Sequence, residues 1–281
     1  MTYQQLIKVV TLFCAFAFTA DAIATSSKIP WDKLYGLGKV EYLQLDVTHT
    51  EDNKQAYHIF VRLPEDLDVT GKTRYATLYL LDGGTNFPLF ASYYKYLRFM
   101  QDVPSMIIVG ISYGTQDWKK GNARSVDFTA PSDEKPFWGG AKEFERFIAD
   151  TLMPTLQKNY PVDKDKQVLF GQSLGGQFGL YTSMYGRAPF YAVIATNPAL
   201  HRNLEYFKQP LKARSDRPKT FIVSAEFDAE IFREPALKWQ SHWADKSLDW
   251  QRVFVDMPGH NHLSANPEAF RDGLKWVFAK K

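Results

Sequence analysis

Six short apolar runs constrain this chain more than any other feature: Tyr75 to Leu81, Met106 to Ile111, Val168 to Phe170, Tyr191 to Ala195, Phe221 to Val223 and Val253 to Val255. None alternates apolar with polar residues, and segments of helical length separate them. Unalternating runs are what strands buried on both faces look like, so the pattern predicts a mostly parallel central sheet with helices on both faces. Two earlier segments differ. Val40 to Val47 and Tyr57 to Leu63 alternate, which predicts an antiparallel pair turning around Glu51 to Lys54. The expected fold class is therefore α/β, with antiparallel strands at its beginning.

Between the strands, Phe144, Phe147, Ile148, Leu152 and Leu156 recur at helical spacing, giving one apolar face to a helix over 141–159 that Pro154 kinks. Phe270, Leu274, Val277 and Phe278 predict a closing helix over 267–279. The segment 115–140, rich in Gly, Pro, Asp and Lys and without period, reads as a long loop over the sheet, where function often resides. No internal repeat or low-complexity tract interrupts the chain.

The run Val168 to Tyr181, VLFGQSLGGQFGLY, reads as strand, sharp turn and helix. Within it Gly171, Gln172, Ser173, Leu174 and Gly175 fit the G-x-S-x-G pattern, in which a strained bend holds a serine hydroxyl up at the carboxyl end of a sheet. A serine is a poor nucleophile until a base takes its proton, and the base works best when a third group orients it. Four histidines follow Ser173: His201, His242, His260 and His262. The last two lie in Pro258-Gly259-His260-Asn261-His262, directly after the final predicted strand, where a base is needed. Only one of the pair is expected to face the serine.

The acid should follow the strand Phe221 to Val223, where Glu226, Asp228 and Glu230 all fall; Asp228 is the choice, with Glu226 next. An oxyanion needs two donors. The N–H of Leu174, next after the nucleophile, supplies one, and the turn at Gly83 and Gly84 after Tyr79-Leu80-Leu81-Asp82 fits the second. Read as a metal chelate, His260-x-His262 lacks a third ligand at metal-site spacing, so neither metal nor other cofactor is expected.

Residues 1–24 stand apart. Lys8 precedes an apolar run from Val9 to Phe18, and Ala22-Ile23-Ala24 offers a small-x-small cleavage site, the layout of a secretory signal peptide. Residues 25–33 then read as a flexible leader and 34–281 as a single α/β domain of ordinary size. The only cysteine, Cys14, lies inside the signal, so the mature chain has neither thiolate nucleophile nor disulfide. Export to the periplasm or outside the cell is expected, with no membrane anchor left after cleavage. The net charge of +3 is too mild for a nucleic-acid partner. Nothing in the pattern specifies an oligomeric state.

These motifs resemble one esterase branch of the α/β-hydrolases, which includes enterochelin and salmochelin esterases and S-formylglutathione hydrolase. The resemblance runs from Tyr42 to Phe278. It is carried by Tyr57 to Pro64 (YHIFVRLP), Leu78 to Gly83 (LYLLDG), Ile107 to Ile111 with Arg124 and Asp127 to Pro131 (DFTAP), Phe170 to Gly176 (FGQSLGG) and Asn197 to Leu200 (NPAL). The family's closing motif maps Gly259 and Ser264 around His262, which implies His262 as the base in preference to His260. Some members work with a Ser–His dyad, which would reduce the part of Asp228. Gln172 stands where the family commonly has His, and His201 with Arg202 where it commonly has a tryptophan pair. Both departures bear on substrate, and with Arg124 they mark Gln172 and His201 as candidate substrate-binding residues.

The resemblance implies a serine ester hydrolase acting through an acyl-enzyme on siderophore-type or other small carboxylic esters, and the signal layout of residues 1–24 adds export. Tyr93, Tyr94, Tyr96 and Phe99 are candidates to stack on catechol rings, and Trp118, Lys119, Lys120 and Arg124 to meet an anionic iron complex. The alternatives are an acyltransferase of the same fold and a non-catalytic ligand-binding relative.

Overall fold

The computed structural model describes residues 35–50, 53–132, 138–201, 203–246 and 248–279. The signal-peptide and leader readings, and Arg202, lie outside them. Each of the six unalternating runs lies within or overlaps a strand: β3 Tyr75–Leu80, β4 Met106–Ser112, β5 Val162–Gln172, β6 Ala192–Thr196, β7 Lys219–Ala225 and β8 Arg252–Met257. The alternating segments are β1 Val40–Thr50 and β2 Asn53–Arg62. Thr50 pairs with Asn53, so the hairpin is tighter than the sequence suggests: Asn53 and Lys54 belong to the strand.

One eight-stranded sheet results, in the order β1-β2-β4-β3-β5-β6-β7-β8. β1 pairs β2 antiparallel, as β2 does β4, and every later pairing is parallel. Burial follows the sequence texture. β3 and β4 are buried along their whole length, which is why neither holds a charged residue or an apolar–polar alternation.

The helices are α1 Gly83–Phe99, α2 over 141–159, α3 Leu174–Met184, α4 Glu230–Ala244 and α5 Ala265–Val277. They divide into two apolar layers. Phe144, Ile148, Leu152, Phe178 and Trp239 pack with Tyr57, Tyr79 and Leu169 on one face of the sheet. Phe87, Phe90, Phe270 and Leu274 pack with Leu80, Ile108 and Phe170 on the other. In α2 the six residues Phe147–Leu152 form a π-helix just before Pro154, which stands in the first turn of the α-helical remainder. The widened turns accommodate the missing proline N–H where the sequence suggests a kink. The long segment 115–140 contains a 3₁₀ turn, Trp118–Lys120, and a short helix, Arg124–Asp127.

Parallel strands place all their carboxyl ends on one edge of the sheet. The ends of β3, β5, β6, β7 and β8 therefore lie side by side. In open α/β sheets this edge is where ligands bind.

Candidate active site

Ser173 follows β5 directly and precedes α3, with φ 59° and ψ −116°. Such a backbone is costly for a residue with a side chain, and the surroundings hold it there. Its N–H donates to the Thr196 carbonyl at 3.0 Å, and its carbonyl accepts from Gln177 at 2.9 Å and Ala199 at 3.0 Å. The bend also needs glycine on either side. A Cβ on Gly171 would fall 2.3 Å from the Gly175 oxygen, and one on Gly176 2.8 Å from the Thr196 oxygen.

Leu174 opens α3, so its N–H has no partner within the helix. Gly83 and Gly84 are the first residues of α1 and not a free turn, which likewise leaves their N–H groups at a helix start. β3 and β5 are paired neighbours, so the two helix starts adjoin. A Cβ on Gly175 would lie 3.4 Å from Leu81 Cδ1 and 3.8 Å from Asp82 Oδ2. Gly83 itself is fixed by crowding, since a Cβ there would lie 2.6 Å from the Ile111 nitrogen. Asp82, at φ 54°, caps the helix in a left-handed conformation.

On the far side of the serine, β7 leads into Asp228 and β8 into His262. His262 Nδ1 meets Asp228 Oδ2 at 2.8 Å, with the Asp228 side chain 2% exposed and that of His262 22%. A carboxylate on Nδ1 requires the proton there and leaves Nε2 free to accept one. The other candidates point elsewhere. His260 Nδ1 donates to the Ser264 carbonyl at 3.0 Å, and Glu226 Oε2 accepts from the Gly259 N–H at 2.8 Å. Ser173 Oγ and the imidazole are not hydrogen-bonded to each other. Such contacts often close only around bound substrate.

The three proposed substrate contacts are each engaged by the protein. Gln172 donates from Nε2 to the His262 carbonyl at 2.8 Å. Arg124 forks onto Asp82, Nε to Oδ1 at 2.6 Å and Nη2 to Oδ2 at 2.9 Å, binding the long segment to the start of α1. The His201 ring packs edge-on against Phe232 at 5.1 Å, and Phe232 lies 4.7 Å from the His262 ring. Phe232 and Asn197, whose Nδ2 donates to the His262 carbonyl at 2.9 Å, also adjoin His262, and the sequence assigned neither of them a role.

The aromatic cluster suggested for catechol stacking belongs to the other end of the molecule. α1 starts at the carboxyl end of β3 and is 17 residues long, which puts Phe99 about 24 Å along the helix from Gly83. Tyr94 is buried, donating to the Pro104 carbonyl at 2.7 Å and accepting from the Met106 N–H at 2.8 Å, at the amino end of β4. A cavity of about 480 Å³ lined by Lys212, Arg214, Arg217 and Leu248 also lies where the chain enters β7 and β8, opposite Ser173.

A parallel sheet with a serine on a strand-to-helix bend, and a histidine–carboxylate pair on later strand ends, defines the α/β-hydrolase fold. Residues 50–260 match the family described as "Putative esterase". The chain belongs to that esterase family. It is 31% identical over 256 residues to the ferri-bacillibactin esterase BesA of Bacillus subtilis, covering 81% of this chain and 86% of that one. To the siderophore triacetylfusarinine C esterase of Aspergillus fumigatus it is 28% identical over 216 residues, 70% of each chain. Among solved structures, the siderophore hydrolase EstB of Aspergillus nidulans superposes with a TM-score of 0.72 at 20% identity, covering 90% of this chain and 97% of that one.

Proposed function

We propose that the protein is an exported serine esterase that hydrolyses siderophore-type esters through an acyl-enzyme. The observation that carries this reading is the 2.8 Å bond between His262 and Asp228 on the loops that flank the Ser173 bend. Ser173 Oγ attacks the ester carbonyl as His262 Nε2 takes its proton. Asp228 keeps the proton on Nδ1 and stabilises the imidazolium. The oxyanion lies between the N–H of Leu174 and that of Gly83 or Gly84, where two helix starts present unpaired donors. His262 then returns the proton to the departing alcohol. In the second half it deprotonates a water, which attacks the acyl carbonyl and frees Ser173. No step requires a cofactor.

Two observations support the substrate class. The relatives named above are esterases of siderophores. In addition, Phe227, Ile231 and Leu263 flank Asp228 and His262 in the chain and are 66%, 59% and 69% exposed, giving apolar parts of a substrate a surface to lie on. The layout of residues 1–24 supports export.

The test is incubation of residues 25–281 with ester-linked siderophores, iron-free and iron-loaded, followed by mass spectrometry. Hydrolysis products from the wild type but not from Ser173→Ala are expected. Transfer of the acyl group to an added alcohol in preference to water would select an acyltransferase, and absence of both would select a binding protein. For export, the envelope fraction of an expressing bacterium should yield a chain beginning at Thr25.

A further inference from the structure

Two side-chain amides converge on one carbonyl beside the candidate base. Gln172 Nε2 donates to the His262 oxygen at 2.8 Å and Asn197 Nδ2 donates to the same oxygen at 2.9 Å. A carbonyl has two lone pairs, and both are taken. Gln172 is the last residue of β5, immediately before Ser173. Asn197 follows β6, is 2% exposed and adopts φ 44°, a left-handed conformation that asparagine tolerates better than most residues. The rest of the Asn197 amide is equally engaged: Oδ1 accepts from the Ala225 N–H, the last residue of β7, at 2.8 Å. Its backbone N–H reaches the Val223 carbonyl, also at 2.8 Å. The ends of three neighbouring strands are thus tied to the backbone of His262.

We propose that Gln172 and Asn197 form a two-amide clamp that positions His262, an inference that rests on His262 being the base. The loop needs such a device. Gly259, Asn261, Leu263 and Ser264 are all exposed, and the Asn261 side chain serves only local turns to Leu263 and Ser264. From the ring side, His262 meets Asp228 and the face of Phe232. Those contacts fix the plane and tautomer of the imidazole. The clamp fixes the point from which it projects, and because Gln172 adjoins Ser173 the distance from base to nucleophile is set within one rigid unit. Displacement of a catalytic group by about 1 Å lowers turnover on the order of a hundredfold.

The experiment is a double-mutant cycle with Gln172→Met, which keeps shape and removes the donor, and Asn197→Asp, which keeps the acceptor for Ala225 and removes the donor. Each single variant should lower kcat roughly fivefold with KM unchanged, about the loss of one hydrogen bond. The double variant should lose about a hundredfold, more than the product of the singles, because each amide holds the loop when the other is gone. The low-field NMR signal of the His262 Nδ1 proton should broaden in step with kcat, which a merely structural contact would not require. Wild-type kcat with an unbroadened signal in both singles overturns the clamp, and the singles decide it if the double variant does not fold. His262→Ala separates the two claims. If that variant keeps turnover, the base is misassigned; if it is inactive while the clamp variants are not, the clamp alone fails.

Discussion

Neighbouring glycines around Ser173 differ sharply in the freedom they have. Gly171 has none: any Cβ there would lie 2.3 Å from the Gly175 oxygen. Gly175 has room, with its nearest neighbour at the ordinary contact distance of 3.4 Å, and it sits in a helix where alanine is favoured over glycine. Gly171→Ala is therefore expected to cost at least about 3 kcal/mol in urea unfolding, and Gly175→Ala less than about 1 kcal/mol. Asp127 supplies a pH dependence. It is 7% exposed, and its Oδ2 accepts from the hydroxyls of Tyr57 at 2.8 Å and Tyr113 at 2.9 Å. Burial outweighs those bonds and pushes its carboxyl up to about 6. A carboxyl raised in the folded state favours unfolding once the unfolded chain ionises. Stability should thus fall as pH rises from about 4 to about 6 and then level, a change of about 3 kcal/mol at most. Asp127→Asn, measured against the wild type at intervals across that window, should lack this drift. Ser173, His262 and Asp228 stood out in the sequence as candidates because each sits in a local pattern at a strand end. Asn197 and Phe232 had no role assigned, because their contacts arise only when distant loops meet; Asn197 stood out only as the head of the Asn197-to-Leu200 run just past a predicted strand.

At the element scale, the strands were readable and the helices unevenly so. Burial on both faces leaves a strand no choice but an apolar run, whereas α4 buries only the narrow stripe Ala236, Trp239 and Trp243, with Ile231 and Leu237 exposed beside it. α1 was obscured by the glycine pair at its start and by Pro88 within it. Its start is the proposed oxyanion site, and the fork from Arg124 to Asp82 fixes it to the long segment. Arg124→Ala and Asp82→Ala should each lower kcat about tenfold, with the double variant no worse than either, since both remove one interaction. If Arg124 instead contacts substrate, Arg124→Ala would raise KM and Asp82→Ala would leave it unchanged.

At the scale of the whole molecule, a parallel sheet collects the ends of β3, β5, β6, β7 and β8 on one edge, and the candidate machinery is distributed along it in chain order. Two helix starts adjoin beside Ser173, while His262 follows β8 and its backbone is hydrogen-bonded to Gln172 at the end of β5 and Asn197 after β6. The aromatic side chains that the sequence offered for substrate stacking lie instead at the far end of α1, because a helix reverses direction across the sheet and takes its last turns away from the site. In the proposed reaction one serine, served by one histidine, forms a covalent acyl-enzyme. The most direct measurement is the intact mass of residues 25–281 after reaction with a fluorophosphonate, beside Ser173→Ala and His262→Ala. One adduct per chain on the wild type, none on Ser173→Ala and a rate reduced at least about a thousandfold on His262→Ala are expected. An adduct of undiminished yield on Ser173→Ala, or no adduct on the folded wild type, would contradict the account.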